Sequence, residues 1–304
     1  MGKALNIPEP EPDLSFCDVH GHVPWIEGTF KSDAWGKTLA SADKQHADFK
    51  KAGGVFFITC SIDLNSAVEI LKFVEKHRDV CYSCGMAPQT VTYTKTKAYE
   101  SEFKQWLDII EKNGEKIIAF GEIGLDFHHA KALGQRKRQI DELDRILSIV
   151  KGKKKPIVLH VRNAGPSDKD MGNPDHAFNQ PDAAAREVVA LLDKHGISPA
   201  RVLFHCYSGP SSLNEELAKR GFFFSIPSSA FGFEKWFKVS TSLPLERIMT
   251  ETDSPFQHPR SMEPINAPEN ARYAIAAIAH ARGIDQKVVA TTTLKNAKAF
   301  FKIP

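Results

Sequence analysis

The sequence predicts an α/β fold: a single-domain (β/α)8 barrel of the TIM type that covers residues 1–304. Eight short apolar runs are typical of buried strands, and amphipathic helical patterns separate them. With 304 residues, 42% of them hydrophobic, the chain can bury one large core of the size a barrel needs. No internal repeat, low-complexity tract or shift in composition marks a domain boundary.

The strand candidates are runs of apolar, β-branched and aromatic residues between polar or glycine-containing segments. In chain order they cover 15–22, 54–61, 80–86, 116–122, 156–161, 201–207, 222–226 and 247–251. Over such short runs a buried strand and a buried helix segment have similar patterns, so the regular alternation with helices decides between them.

Helical patterns fill the gaps between the strand candidates. Apolar residues recur at helical spacing in 66–75, 135–150, 188–192, 273–281 and 287–301. Strands that alternate with helices favour parallel pairing, and eight of them favour a closed barrel over an open sheet.

Charge and cysteine content narrow the class of protein. A net charge of +3 is too weak to indicate nucleic-acid binding by itself. The chain shows no apolar signal segment and no run that could span a bilayer, so we expect no membrane association. Five cysteines without a secretion signal predict reduced thiols in a cytoplasmic protein, with the nucleus as the alternative. Cys81 and Cys84 resemble a metal-binding CxxC, but strand alternation turns them to opposite faces and favours two core thiols.

Polar, titratable residues stand at the ends of five strand candidates. Burying such a group is costly unless something pairs with it. The carboxyl ends of barrel strands meet at one face, which is where chemistry occurs in these folds. The sequence therefore predicts one shared metal site there, with six candidate ligands: His20, His22, Glu122, His160, His205 and Asp253.

The motif DVHGH (18–22) supplies the first ligands. Alternation places Asp18, His20 and His22 on one face, with the two histidines near the mouth of the barrel. We expect Asp18 to lie deeper and to orient a ligand or a neighbouring backbone group. An HxH pair alone fits ordinary surface histidines equally well.

The remaining candidates come from later strands. Glu122 ends strand four and can offer an oxygen to each of two ions, whereas Asp126 is left without a role. His160 and His205 end apolar runs, and for each one a hydrogen-bonded core histidine is the alternative. Asp253 follows strand eight, where it can bind an ion and also accept a proton from water.

These motifs resemble the TatD family of metal-dependent deoxyribonucleases within the amidohydrolase-type barrels. The resemblance extends over nearly the whole chain, in DVHGH (18–22), GEIGLDF (121–127), PIVLHVRNA (156–164), HCYSG (205–209), ETDSPF (251–256), NAP (266–268) and NAKAFF (296–301).

The resemblance implies a binuclear site for two divalent ions, Mg²⁺, Zn²⁺ or Mn²⁺. It implies that one ion binds His20, His22 and Asp253, that the other binds His160 and His205, and that Glu122 bridges them. It also implies hydrolysis of DNA phosphodiesters from the 3′ ends of single strands, with DNA as the partner and no obligate protein partner. Glu122 and Asp253 are then the catalytic residues.

Three segments depart from this pattern or carry no clear role. Ala87 stands where the family usually has a histidine before proline, and its methyl group cannot bind a phosphate or position a water at that loop. The loop 164–184 is either a binding loop or a surface excursion. The lysine run 151–155 precedes strand five, at the opposite face, so we expect a solvated run and not a DNA track.

Two residues beyond the ligands are candidates for substrate binding. Arg162 lies two residues past His160, where its guanidinium can bind a phosphate, and the alternative is a structural ion pair. Tyr207 lies two residues past His205, and we expect it to stack on a nucleobase. The rival functions are hydrolysis of esters, lactones or amides on the same barrel, and nucleic-acid binding without catalysis.

Overall fold

The computed structural model describes residues 6–24, 39–165, 177–209, 211–260 and 265–304. Its strands form one eight-stranded sheet in the order β1 to β8. Their bounds are β1 Phe16–Gly21, β2 Gly54–Cys60, β3 Val80–Cys84, β4 Ile117–Asp126, β5 Ile157–Arg162, β6 Val202–His205, β7 Phe223–Pro227 and β8 Ile248–Glu251.

The sheet closes where its first and last strands meet. All consecutive strand pairs from β1 to β8 are parallel. The amide of Asp253 donates to the carbonyl of His20 at 2.9 Å, and the amide of His22 donates to the carbonyl of Ser254 at 2.7 Å. These bonds complete the ring, so the prediction of a (β/α)8 barrel is confirmed.

Helices connect the strands in the predicted alternation. Within the described residues they are α1 Ala42–Lys51, α2 Leu64–Lys76, α3 Pro88–Tyr93, α4 Thr96–Lys112, α5 Leu133–Val150, α6 Ala183–Lys194, α7 Ser211–Arg220, α8 Lys235–Ser242, α9 Ala271–Arg282 and α10 Gln286–Phe301. Among these helices, none combines the length and hydrophobicity needed to cross a bilayer.

Two apolar clusters form the core, and strand alternation explains the division. Leu159 and Phe204 belong to the larger cluster, which joins the strands to the surrounding helices. Val158, Leu203 and Met249 belong to the smaller cluster, on the other face of the sheet. His160, His205 and Glu251 follow these three residues by two positions, so they lie on the same inner face, above an apolar layer.

Two strand ends differ from the prediction in ways that matter for the site. β4 runs to Asp126, four residues beyond Glu122, with a register shift against β5 between Phe120 and Ile123. β6 ends at His205, and the next residue, Cys206, has a positive φ of 46°. Alternation therefore continues past Glu122 but stops at His205.

The lysine run 151–155 and the loop 164–184 lie on either side of β5. Lys151–Lys153 forms an exposed 3-10 turn before β5, at the end of the barrel opposite His160, as predicted for a solvated run. Of the loop 164–184, residues 166–176 lie outside the described residues.

Candidate metal centre

The six predicted ligands converge at the carboxyl end of the barrel. Two groups bring three candidate ligand atoms within 4.8 Å of one another: one contains His20, His22 and Asp253, and the other contains Glu122, His160 and His205. A third group of this kind joins His20 and His205 to Glu251, which is not one of the six predicted ligands.

Glu122 belongs to the second group but also faces the first, because one carboxylate oxygen is turned to the histidines of each group. Its Oε2 is 3.4 Å from Nε2 of His20 and 3.4 Å from Nε2 of His22. Its Oε1 is 2.7 Å from Nδ1 of His160 and 3.6 Å from Nε2 of His205. One carboxylate oxygen of Glu122 therefore faces each pair of histidines.

Cys60 on β2 sets the orientation of both histidines of the DVHGH motif. The backbone carbonyl of Cys60 lies 2.9 Å from Nδ1 of His22, so Nδ1 carries the proton and Nε2 is left as the ligand atom. The thiol of Cys60 lies 3.2 Å from Nδ1 of His20. The remaining nitrogen of His20, Nε2, is buried and has no hydrogen-bond partner among the described residues. A buried imidazole nitrogen without a hydrogen bond fits a metal ligand.

His160 lies between two carboxylates. Its Nδ1 faces Glu122, and its Nε2 lies 3.0 Å from Oδ2 of Asp126. Histidines that bind metals usually donate their second ring N–H to a carboxylate, which fixes the orientation of the ring. Asp126 is fully buried and also accepts a hydrogen bond from Nε2 of Gln89 at 2.7 Å.

Asp253 is fixed from the opposite side of the site. Its Oδ1 lies 3.6 Å from Nε2 of His20 and 3.5 Å from Nε2 of His22, while Gln257 donates from Nε2 to its Oδ2 at 2.6 Å. The positive φ of 58° at Asp253 turns the side chain towards the histidines just after β8 ends.

The carboxylates make the site favourable for cations. Burial raises the pKa of Glu122, but its contacts with His160, His20 and His205 outweigh burial and hold the pKa well below its usual range. Burial lowers the pKa of His160, yet Asp126 and Glu122 raise it to about 9. Positive charge is thus stabilised here, whether it is carried by imidazolium groups or by divalent ions, and the donor set of imidazoles and carboxylates suits such ions.

Asp18 has the contacts expected of a residue that orients its neighbours. Its Oδ1 accepts from the backbone amides of His20 at 3.2 Å and of Thr252 at 2.9 Å. Its Oδ2 accepts from the hydroxyl of Thr252. Asp18 therefore joins the end of β1 to the segment that carries Asp253.

A cleft of about 500 Å³ opens above the ligands. Arg162, at the exposed end of β5, lines this cleft, and its side chain makes no hydrogen bond or ion pair with another described residue. The alternative of a structural ion pair is therefore not seen within the described part of the chain. Lys235 and His129 also line the cleft.

The prediction that Tyr207 stacks on a nucleobase does not fit its position. The side chain is only 2% exposed and packs against Phe204 and Phe224, with ring centroids 5.7 and 5.0 Å apart. The positive φ of Cys206 breaks the alternation after β6, so counting two residues from His205 does not lead into the cleft. Tyr207 is a core residue.

Sequence reasoning missed three residues that contact the predicted ligands. Asp126 was left without a role, although alternation from Glu122 along a longer β4 places it on the same face. Glu251 is not among the six predicted ligands, and its Oε2 accepts from the hydroxyl of Ser225 at 2.6 Å. Its Oε1, however, lies 3.7 Å from Nδ1 of His205. Gln257 comes from a loop without a periodic pattern, so no signal in the sequence pointed to it.

A (β/α)8 barrel with clustered histidine and carboxylate ligands at its carboxyl end defines a metal-dependent hydrolase. The family model for TatD related DNase matches residues 17–302, and the chain belongs to the TatD family.

Curated relatives agree with this assignment. An uncharacterized metal-dependent hydrolase of Methanocaldococcus jannaschii is 27% identical over 290 residues, which cover 95% of this chain and 98% of that protein. Deoxyribonuclease TATDN3 of Homo sapiens is 28% identical over 264 residues, which cover 83% of this chain and 85% of that protein.

Solved structures share the fold. YJJV, a TatD homolog from Escherichia coli, has a TM-score of 0.75 at 21% identity, covering 95% of this chain and 98% of that one. A TatD family hydrolase from Entamoeba histolytica has a TM-score of 0.76 at 17% identity, covering 95% of this chain and 99% of that one.

Proposed function

We propose that this TatD-family hydrolase is a deoxyribonuclease that removes nucleotides from the 3′ ends of single-stranded DNA with the help of two divalent ions, Mg²⁺, Zn²⁺ or Mn²⁺. The observation that carries the proposal is the position of Glu122, with one oxygen towards each of two ligand groups. The relative in Homo sapiens is named a deoxyribonuclease, which supports DNA as the substrate.

His20, His22 and Asp253 would hold one ion, His160 and His205 the other, and Glu122 would contact both. Ions in these positions would supply positive charge for the phosphate oxygens and make a nearby water more acidic. Arg162, free of ion pairs within the described residues, would bind a neighbouring phosphate of the strand.

Asp253 takes the proton of the attacking water. The water oxygen bonds to phosphorus, the bond from phosphorus to the 3′ oxygen breaks, and the leaving 3′ oxygen takes up a proton from solvent to become a hydroxyl. The Oδ2 of Asp253 already accepts from Gln257, and a carboxylate oxygen retains a second lone pair for a proton. The bond from Gln257 also holds the carboxylate in one orientation.

A substrate panel tests the proposal. Metal-reconstituted protein is offered single- and double-stranded DNA, RNA, a simple phosphodiester, a lactone and an amide. We expect single-stranded DNA, labelled at either end, to be shortened from its 3′ end faster than any other substrate is turned over. Faster turnover of the lactone or amide would support the rival hydrolase, and DNA binding without turnover would support a non-catalytic binding protein.

The variant Asp253→Asn tests the proton acceptor. It keeps the shape and one ligating oxygen, so we expect a folded, partly loaded protein whose kcat falls by at least about a hundredfold. Asp141→Asn, an exposed carboxylate on α5, is the matched control. Near-normal turnover by a fully loaded Asp253→Asn protein would place the base elsewhere.

A further inference from the structure

His129 lies on the rim of the cleft, just after β4, and has one ring nitrogen directed away from the protein contacts that hold it. Its Nδ1 lies 2.7 Å from Oδ2 of Asp126, and its backbone amide donates to Oδ1 of the same carboxylate at 3.0 Å. The ring lines the cleft, and no described residue forms a hydrogen bond with its Nε2. Asp126 thus fixes the orientation of the imidazole while Nε2 remains available for a ligand.

Tyr93, the last residue of α3, is packed beside this imidazole. The two rings meet edge to face, with centroids 6.2 Å apart. Tyr93 is 61% exposed, the largest exposed fraction among the large hydrophobic side chains of the described residues. An aromatic ring that is held on one side by His129 and open to solvent on the other is a platform on which a base can stack.

Other residues of this rim offer no comparable contact. Ala87, just before α3, is 1% exposed and has only a methyl group. Gln89 reaches the cleft, but its amide nitrogen donates to Asp126. On this side of the cleft, His129 is therefore the residue that can make a polar contact with a ligand.

We infer that His129 and Tyr93 form a nucleotide subsite, in which the imidazolium of His129 donates from Nδ1 to Asp126 and from Nε2 to a phosphate oxygen, and the ring of Tyr93 stacks on the adjacent base. A hydrogen-bond donor next to an exposed aromatic ring is the combination that binds single-stranded nucleic acid. Arg162 and Lys235 line the same cleft and favour an anionic ligand. The inference rests on the proposed function, because it names the part of the cleft that recognises a nucleotide.

Binding to the metal-loaded protein tests the subsite without turnover. Calorimetry measures the affinity for deoxythymidine monophosphate and for inorganic phosphate. Tyr93→Ala should weaken nucleotide binding about tenfold and leave phosphate binding unchanged, since stacking acts on the base alone. Tyr93→Phe should bind as the wild type does, and His129→Ala should weaken both ligands. Val288→Ala, an exposed apolar position on α10 outside the cleft, is the control.

The inference is overturned if Tyr93→Ala binds the nucleotide within twofold of the wild type, if it weakens phosphate equally, or if the wild type binds no nucleotide. A second experiment measures hydrolysis of oligonucleotides that end in a normal or an abasic 3′ nucleotide. It shows whether the subsite and the proposed function fail together or separately. We expect Tyr93→Ala to lose about tenfold in kcat/KM on the normal strand and little on the abasic one. If no phosphodiester is hydrolysed but nucleotide binding follows the expected pattern, the proposed function fails and the subsite stands.

Discussion

The Oδ2 of Asp126 lies 3.0 Å from Nε2 of His160, on the side of the imidazole opposite to Glu122. His160 is therefore held by a carboxylate at each ring nitrogen, and the two carboxylates raise its pKa against the effect of burial. Because a metal binds only neutral imidazole, this contact links metal binding to pH.

Metal affinity should keep rising with pH well beyond the range in which an ordinary histidine titrates. The pKa of His160 is raised from 6.5 to about 9, so the imidazolium is favoured below pH 9 and an entering ion must displace its proton. Titration with Mn²⁺ from pH 6 to 9.5 should give an affinity that levels off near the raised pKa of His160, at about 9. In chelator-treated protein, the stability contributed by this imidazolium is complete below the unfolded pKa and disappears as pH rises through 9.

The variant Asp126→Asn tests the origin of this pH dependence. It removes one of the two carboxylates, so the pKa of His160 should fall and the affinity should level off at a lower pH. An unchanged pH profile in this variant would show that Asp126 does not control the protonation of His160.

Glu122→Ala should reduce metal binding at both ligand groups, because each group loses one carboxylate oxygen. We expect elemental analysis to find up to two ions per wild-type chain and less than one in the variant. Glu111→Ala, an exposed glutamate on α4, should keep the wild-type content. Full metal content in the Glu122→Ala protein would rule out a bridging role.

Arg162→Ala should lower kcat/KM for DNA by about ten- to a hundredfold, since a hydrogen bond to a charged group contributes roughly 1.5–3 kcal/mol. Metal content and melting temperature should stay near wild-type values, because the side chain contacts no described residue through a hydrogen bond or ion pair. Arg78→Ala, at an exposed position between α2 and β3, is the matched control. A large loss of stability would instead indicate a structural ion pair.

Tyr207→Ala should destabilise the fold without a selective effect on single-stranded DNA. Removal of a buried aromatic ring costs about 3–5 kcal/mol, and this ring packs between Phe204 and Phe224. Tyr207→Phe should unfold near the wild-type denaturant midpoint, because the buried hydroxyl has no hydrogen-bond partner within the described part of the chain. A stable Tyr207→Ala protein that had lost only activity on single-stranded DNA would restore the stacking role.

The barrel and the convergence of the candidate ligands were predictable because each depends on a simple regularity. Apolar runs alternate with helices, and parallel strands bring their carboxyl ends to one face. His160 and His205 follow Val158 and Leu203 on the inner face, which alternation alone predicts.

The positions where the structure differs from the expectation lie where backbone geometry departs from that regularity. The continuation of β4 past Glu122 brings Asp126 to His160, and the positive φ at Cys206 sends Tyr207 into the core. Neither departure has a signature in a single sequence. For Cys206 the reason is that cysteine rarely adopts a positive φ, so its identity does not predict one. Gln257 and Tyr93 stand at loop or helix-end positions, and only the folded chain brings them beside Asp253 and His129.

The hydrogen bonds between the ends of β1 and β8 have a consequence for the order of assembly. His20 and Asp253 are joined through the backbone at the seam that closes the barrel, although they come from opposite ends of the sequence. A nascent chain that ends before β8 contains His20 and His22 but not Asp253, so this group of candidate ligands is still incomplete. An ion held by that group would stabilise only the fully closed barrel, so its capture would mark the completion of folding.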